Sequence, residues 1–116
     1  MMRITQRRDF LAAAKALSQV TPGVIVQMRD RKDESPARVG FTCTKKIGGA
    51  VTRNRIRRRL RESVRLVVET IAKPGHDYVL IGRVATEKRD FEELHKDIIS
   101  ALTKLHAGQC RGTRTS

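Results

Sequence analysis

The sequence predicts an α+β domain, an α/β sandwich of helices on a small mixed sheet, in the order α-β-β-α-β-α. Three patterns carry that prediction. Ile56, Leu60, Val64, Val67 and Ile71 recur every three or four residues, the apolar stripe of a long helix. Segments 24–29, 38–44 and 77–84 are rich in β-branched residues and alternate like strands. Phe91, Leu94, Ile98, Leu102 and Leu105 mark a last helix. A chain of 116 residues suits one domain, assigned to residues 1–106, with a flexible basic tail at 107–116.

In chain order, residues 1–5 read as loose, and Thr5 as the cap of a first helix that runs through Phe10 to Leu17 on four alanines. Pro22-Gly23 stops it. The strands at 24–29 and 38–44, joined by the polar run 30–36, read as a hairpin, with Val39, Phe41 and Cys43 on one face. After Gly48-Gly49 a helix is expected from Ala50 to Ala72, ended by Pro74-Gly75. The strand at 77–84 is apolar on both faces, as an inner strand would be. Asp90 and Glu93 then resemble a capping box for the final helix, in which Phe91 is expected in the core.

Charge points to the partner class. There are 25 Lys and Arg against 12 Asp and Glu, a formal net charge of +13, the balance of a nucleic-acid binder. Arg53, Arg55, Arg57, Arg58, Arg59, Arg61 and Arg65 crowd the long helix, with Asn54, Arg58, Arg61 and Arg65 opposite its apolar stripe and Arg55, Arg57 and Arg59 flanking. A solvated charged face is the plain alternative, but Glu62 alone interrupts the run, too few acids for pairing along the helix. No apolar run is long enough to span a bilayer and the N-terminus lacks a signal-like apolar segment, so a cytoplasmic, membrane-free protein is expected. Cys43 and Cys110 are too far apart in kind and position to suggest a disulfide framework or a zinc site.

No catalytic residue is assigned. The carboxylates are scattered, His76, His95 and His106 are separated, and Gly48-Gly49 lacks the Lys and hydroxyl of a phosphate loop. No metal-ligand set is visible either.

The stretch 38–62, RVGFTCTKKIGGAVTRNRIRRRLRE, resembles the protein subunit of bacterial ribonuclease P. The likeness rests on Val39, Gly40, Phe41, Thr44, Lys45, Lys46, Ile47, Gly48, Ala50, Val51, Arg53, Asn54, Arg55, Ile56, Arg58, Leu60, Arg61 and Glu62, and extends more weakly to Asp9-Phe10, to 77–81 and to the last helix. It implies a left-handed βαβ crossover, against the usual hand. It also implies a helper to a ribozyme: a catalytic RNA subunit hydrolyses the phosphodiester with Mg²⁺, while the protein grips that RNA and precursor tRNA without needing to oligomerise. Carried onto this chain, the ribozyme-RNA contacts are Lys45, Lys46, Arg53, Asn54, Arg55, Arg57, Arg58, Arg59, Arg61 and Arg65, and the leader contacts are Phe10, Gln27 and Lys45.

The resemblance places the single-stranded 5′ leader in a cleft between the first helix and the sheet, and two departures bear on it: Ala14 stands where the family has a second large apolar residue, and Gln27 where an aromatic is common. Since each stacked base contributes roughly 1–3 kcal/mol, leader binding here leans on Phe10 and charge. Gly49, in place of a polar residue, caps the arginine helix less well. The competing function is a structural RNA binder of ribosomal type. A DNA-binding regulator ranks third, because strand residues rather than a short helix precede the arginine helix.

Overall fold

The computed structural model describes residues 2–43 and 45–107. Thr44 and positions 108–116, most of the expected tail, lie outside the described residues, and Lys45 is described by its backbone alone. The elements are β1 (Met2–Arg3), α1 (Arg7–Ala14), β2 (Leu17–Val20), β3 (Val24–Asp30), β4 (Arg38–Cys43), a 3-10 turn (Lys45–Ile47), α2 (Ala50–Ile71), β5 (His76–Gly82), α3 (Val84–Lys88) and α4 (Phe91–His106). They build one mixed sheet in the order β1-β4-β5-β3-β2.

Strand β5 is the middle of that sheet, which accounts for its apolar character on both faces. It pairs parallel with β4 and antiparallel with β3. The expected β3–β4 hairpin is therefore corrected: β5 lies between them. The helix α2 carries the chain from β4 to its parallel neighbour, as a parallel pair requires. The hairpin that does form joins β2 to β3 across Thr21, whose hydroxyl both donates to the Val24 carbonyl and accepts from its N–H.

The N-terminal expectations also change. Residues 2–3 form a short edge strand on β4, and Ile4 beyond it is buried with its N–H on the Val39 carbonyl. Helix α1 stops at Ala14 instead of Leu17, because 17–20 gain a four-residue ladder on β3 that a helix there would forfeit. Thr5 does not cap it; the preceding position is Gln6, with no side-chain cap. A short helix, α3, appears between β5 and α4, its start tied by the Arg83 N–H to the Thr86 hydroxyl.

Alternation divides the sheet cleanly. Val24, Val26, Met28, Val39, Tyr78 and Leu80 face α2 and α4 and join Ile56, Leu60, Val64, Val67, Leu94, Ile98, Leu102 and Leu105 in the main core. Gly82 shares that face, and a Cβ there would overlap the Ile56 side chain, so glycine sets how closely α2 approaches. The Tyr78 hydroxyl accepts from the Lys73 N–H and meets Nε2 of His106 at 2.7 Å, closing the far end of the core. Phe91 departs from expectation: it is 42% exposed, with the Arg59 guanidinium 6.0 Å from its ring centroid. It opens α4 at the rim of the core, where the cation covers one face.

Substituting Gly82→Ala is expected to cost about 1–3 kcal/mol, the ordinary penalty for overpacking a filled core, read as a shift of the denaturant midpoint at unchanged slope. An unshifted midpoint would show that α2 can retreat without loss.

Candidate nucleic-acid interface

Helix α2 presents two sides of opposite chemistry. Ile56, Leu60, Val64 and Val67 are buried against the sheet. Asn54, Arg55, Arg58, Arg61 and Arg65 are exposed, and Arg53, Arg57 and Arg59 are half-buried at the margins. The expected wheel holds, but the arginines differ in what they already touch. Arg59 is turned inward: Nε donates to the Thr86 carbonyl at 3.1 Å and Nη2 to the Arg89 carbonyl, satisfying the end of α3. Arg55 pairs with Glu87 of α3 at 2.6 Å, and Arg57 donates to the Asn54 amide oxygen at 3.1 Å. Arg58 makes only a loose exposed contact to Glu62, 3.6 Å. The outward guanidiniums available to phosphate are therefore those of Arg58, Arg61 and Arg65, then Arg57 and Arg55.

The other sheet face carries α1 and a cleft. Register makes it three rungs across β3, β5 and β4: Arg29–Asp77–Arg38, then Gln27–Val79–Gly40, then Ile25–Ile81–Thr42. Helix α1 covers the first two. A Cβ on Gly40 would stand 2.7 Å from Phe10 Cε1, so the Phe10 ring lies directly on that glycine. The open remainder is a cleft of about 480 Å³ lined by Thr5, Arg7, Phe10, Ala14, Gln27, Phe41, Thr42, Val79 and Ile81. Phe10 and Gln27, far apart in sequence, do come together there, and Ala14 leaves the wall low. Lys46 lies elsewhere, on a wider groove of about 1220 Å³ beside Ile47, Arg83 and Lys88 that meets the first cleft at Ile81.

Sequence reasoning missed Thr5, Arg7 and Thr42 as lining residues. Strict alternation about Gly40 would have placed Thr42 on the cleft face. It also missed the ionic cluster at the first rung. The Asp77 side chain has no exposed surface and takes Arg38 Nε and Nη2, each at 2.8 Å, together with Arg31 Nη1. Arg29 reaches Asp77 at 3.5 Å and Asp9 of α1 at 3.2 Å, while Arg38 reaches Asp9 at 3.4 Å. Burial pushes the Asp77 carboxyl up, but the hydrogen bonds and charges of Arg38 and Arg31 outweigh it and hold its pKa below the usual carboxylate value. Among the described residues no three His, Cys, Asp or Glu side chains come together as a metal site, and no helix is long and apolar enough to cross a membrane.

Comparison with known proteins gives a consistent result. A family model described as Ribonuclease P matches residues 1–106. The ribonuclease P protein component of Caulobacter vibrioides is 52% identical over 111 residues, covering 95% of this chain and 74% of that one. Its counterpart in Ruegeria pomeroyi is 50% identical over 107 residues, covering 90% and 86%. Among solved structures, the RNase P protein from Thermotoga maritima is similar with a TM-score of 0.70 at 28% identity, covering 86% of this chain and 94% of that one. That of Staphylococcus aureus has a TM-score of 0.74 at 24% identity, covering 90% and 95%, a likeness of fold.

The Asp77 cluster makes stability acid-sensitive in a definite direction. Unfolded, Asp77 titrates near the ordinary value of about 4; folded, it titrates lower. Its contribution is thus complete above that ordinary value and lost as pH falls toward the folded one. Asp77→Asn, which turns an amide NH₂ toward arginine donors, is expected to cost about 3–5 kcal/mol at neutral pH and to flatten the acid limb of the melting-temperature profile. An acid limb as steep as the parent's would locate the sensitivity elsewhere.

Proposed function

The chain belongs to the ribonuclease P protein family, and from that premise we infer that it works as the RNA-binding subunit of ribonuclease P, the ribonucleoprotein that matures tRNA 5′ ends. Bond cleavage belongs to the RNA subunit, an endonucleolytic hydrolysis supported by Mg²⁺ held on that RNA. The protein's buried carboxylates favour this division: Asp9, Asp77 and Asp97 are each engaged by arginine. Precursor tRNA is the substrate, the site of action cytoplasmic, and residues 1–106 the RNA-binding domain, the span that the family match also covers.

The split surface of α2 carries this reading. A helix whose apolar side is sunk in the core holds its guanidinium side in register along an RNA backbone, and arginine's planar fork suits phosphate oxygens. Asn54, exposed beside Arg58, can reach a base edge or a 2′-hydroxyl. Arg55, Arg57, Arg58, Arg61 and Arg65, with the half-buried Arg53 at their margin and Lys45 and Lys46 at the turn before the helix, form the ribozyme-RNA side. Arg59 drops to a structural role because internal carbonyls already occupy it. On the opposite sheet face the cleft of Phe10 and Gln27 takes the single-stranded leader, with one base stacked on Phe10 and the Gln27 amide offering a donor and an acceptor.

Reconstituted with a ribonuclease P RNA and precursor tRNA, the protein is expected to lower the Mg²⁺ needed for 5′ cleavage; a ribosomal-type binder would not. Replacing Arg58 and Arg61 by alanine is expected to weaken binding of the ribozyme RNA and to shrink the salt slope, which for about five neutralised phosphates lies at about −3.5 to −4.5. A flat salt response would remove the charged-face mechanism. Phe10→Ala is expected to raise the dissociation constant for leader-bearing precursor more than for mature tRNA, and equal losses on both would take Phe10 out of the leader site.

A further inference from the structure

Helix α1 has little to hold it where it is. It spans eight residues, too few for stability alone, has no side-chain cap, and buries only Asp9 and Ala13. Leu11 is half-exposed and Ala14 faces solvent at the cleft. Among the described residues, the one polar attachment of its side chains to the sheet is Asp9, next to Phe10. Asp9 Oδ1 meets Arg29 Nη1 at 3.2 Å and Oδ2 meets Arg38 Nη1 at 3.4 Å. Both arginines also pair with the fully buried Asp77, Arg38 by hydrogen bonds and Arg29 at 3.5 Å, so each is held from behind as well. The clamp thus grips α1 on the first rung of the sheet, and Phe10 lands on the second, against Gly40.

We propose that Asp9 is a positioning residue for the precursor leader: clamped by Arg29 and Arg38, it sets the placement of α1 and so seats Phe10 on Gly40 as the wall of the cleft. This rests on the leader assignment of that cleft and adds the device that shapes it. The clamp acts through Phe10 and touches no RNA.

The test uses the full chain reconstituted with ribonuclease P RNA. Asp9→Asn keeps the shape of the side chain and removes its charge. It is expected to lower the preference for leader-bearing over leaderless tRNA by about fivefold or more, the smaller end of what one lost base stack costs. Affinity for the ribozyme RNA should hold, and amide exchange should rise over residues 7–14 but not in α2. Introduced into Phe10→Ala, the same substitution should lower the preference no further. A preference unchanged by Asp9→Asn, or a loss that adds in full to that of Phe10→Ala, or one matched by lost ribozyme-RNA affinity, overturns the proposal. If Phe10→Ala itself leaves the preference intact, the leader assignment falls; if Phe10→Ala lowers it and Asp9→Asn does not, only the positioning role falls. Arg29→Gln, which removes one arm of the clamp from a half-exposed side chain, carries the same test should Asp9→Asn not fold.

Discussion

One buried carboxylate holds the strands of this protein in their places. Asp77, second residue of the middle strand, has no exposed side-chain surface and takes guanidiniums from β3, from the link between β3 and β4 and from β4. A charge so placed is costly to desolvate and worth keeping only when its partners are fixed. They are: Arg31 also donates to the carbonyls of Ser35, Pro36 and His76, pinning the polar link between β3 and β4 to the start of β5. Asp9, Asp33 and Asp77 against Arg29, Arg31 and Arg38 make a balanced cluster, so the cement of the sheet adds nothing to the surface charge.

From that anchor the two sheet faces take different work. The side toward α2 and α4 is filled by interlocking apolar groups, and Gly82 lets α2 come close enough for its charged side to be rigidly presented. On the side toward α1 coverage is partial, because α1 is shorter than the strands beneath it. What stays open is an apolar floor with amide and hydroxyl groups at its edges, suited to an unpaired nucleotide strand. A duplex would demand a wider, flatter surface.

Elements with strong periodicity were legible in the sequence: α2, β5 and α4 stand within two residues of where spacing puts them. Strand neighbours were not, since nothing in residues 24–44 announces that a strand 30 residues later will slip between them. Leu17 read as the last apolar position of a helix, and only the ladder with β3 makes it a strand residue. In the candidate site the stripe of arginines was visible, but which of them are spoken for was not. Arg59 meets carbonyls of α3, an element too short to show a period. Phe10 and Gln27 were paired through a family resemblance, and the structure brings them to one cleft. The clamp behind them joins positions 9, 29, 38 and 77, a set that only the register of three strands brings together.

Charge and fold are linked by the same arrangement. A chain of net charge +13 repels itself, and its acids could offset this by lying among the surface arginines. Instead Asp9, Asp77 and Asp97 are drawn inside as structural partners, Asp97 tying Arg89 of the α3–α4 junction to the Gly23 N–H of the β2–β3 turn. That leaves the α2 face with few acids to neutralise it, which raises its self-repulsion and its appetite for a polyanion together. On the reading proposed above, RNA held on that face would offset this repulsion, and the partner would then add to the stability of the folded protein.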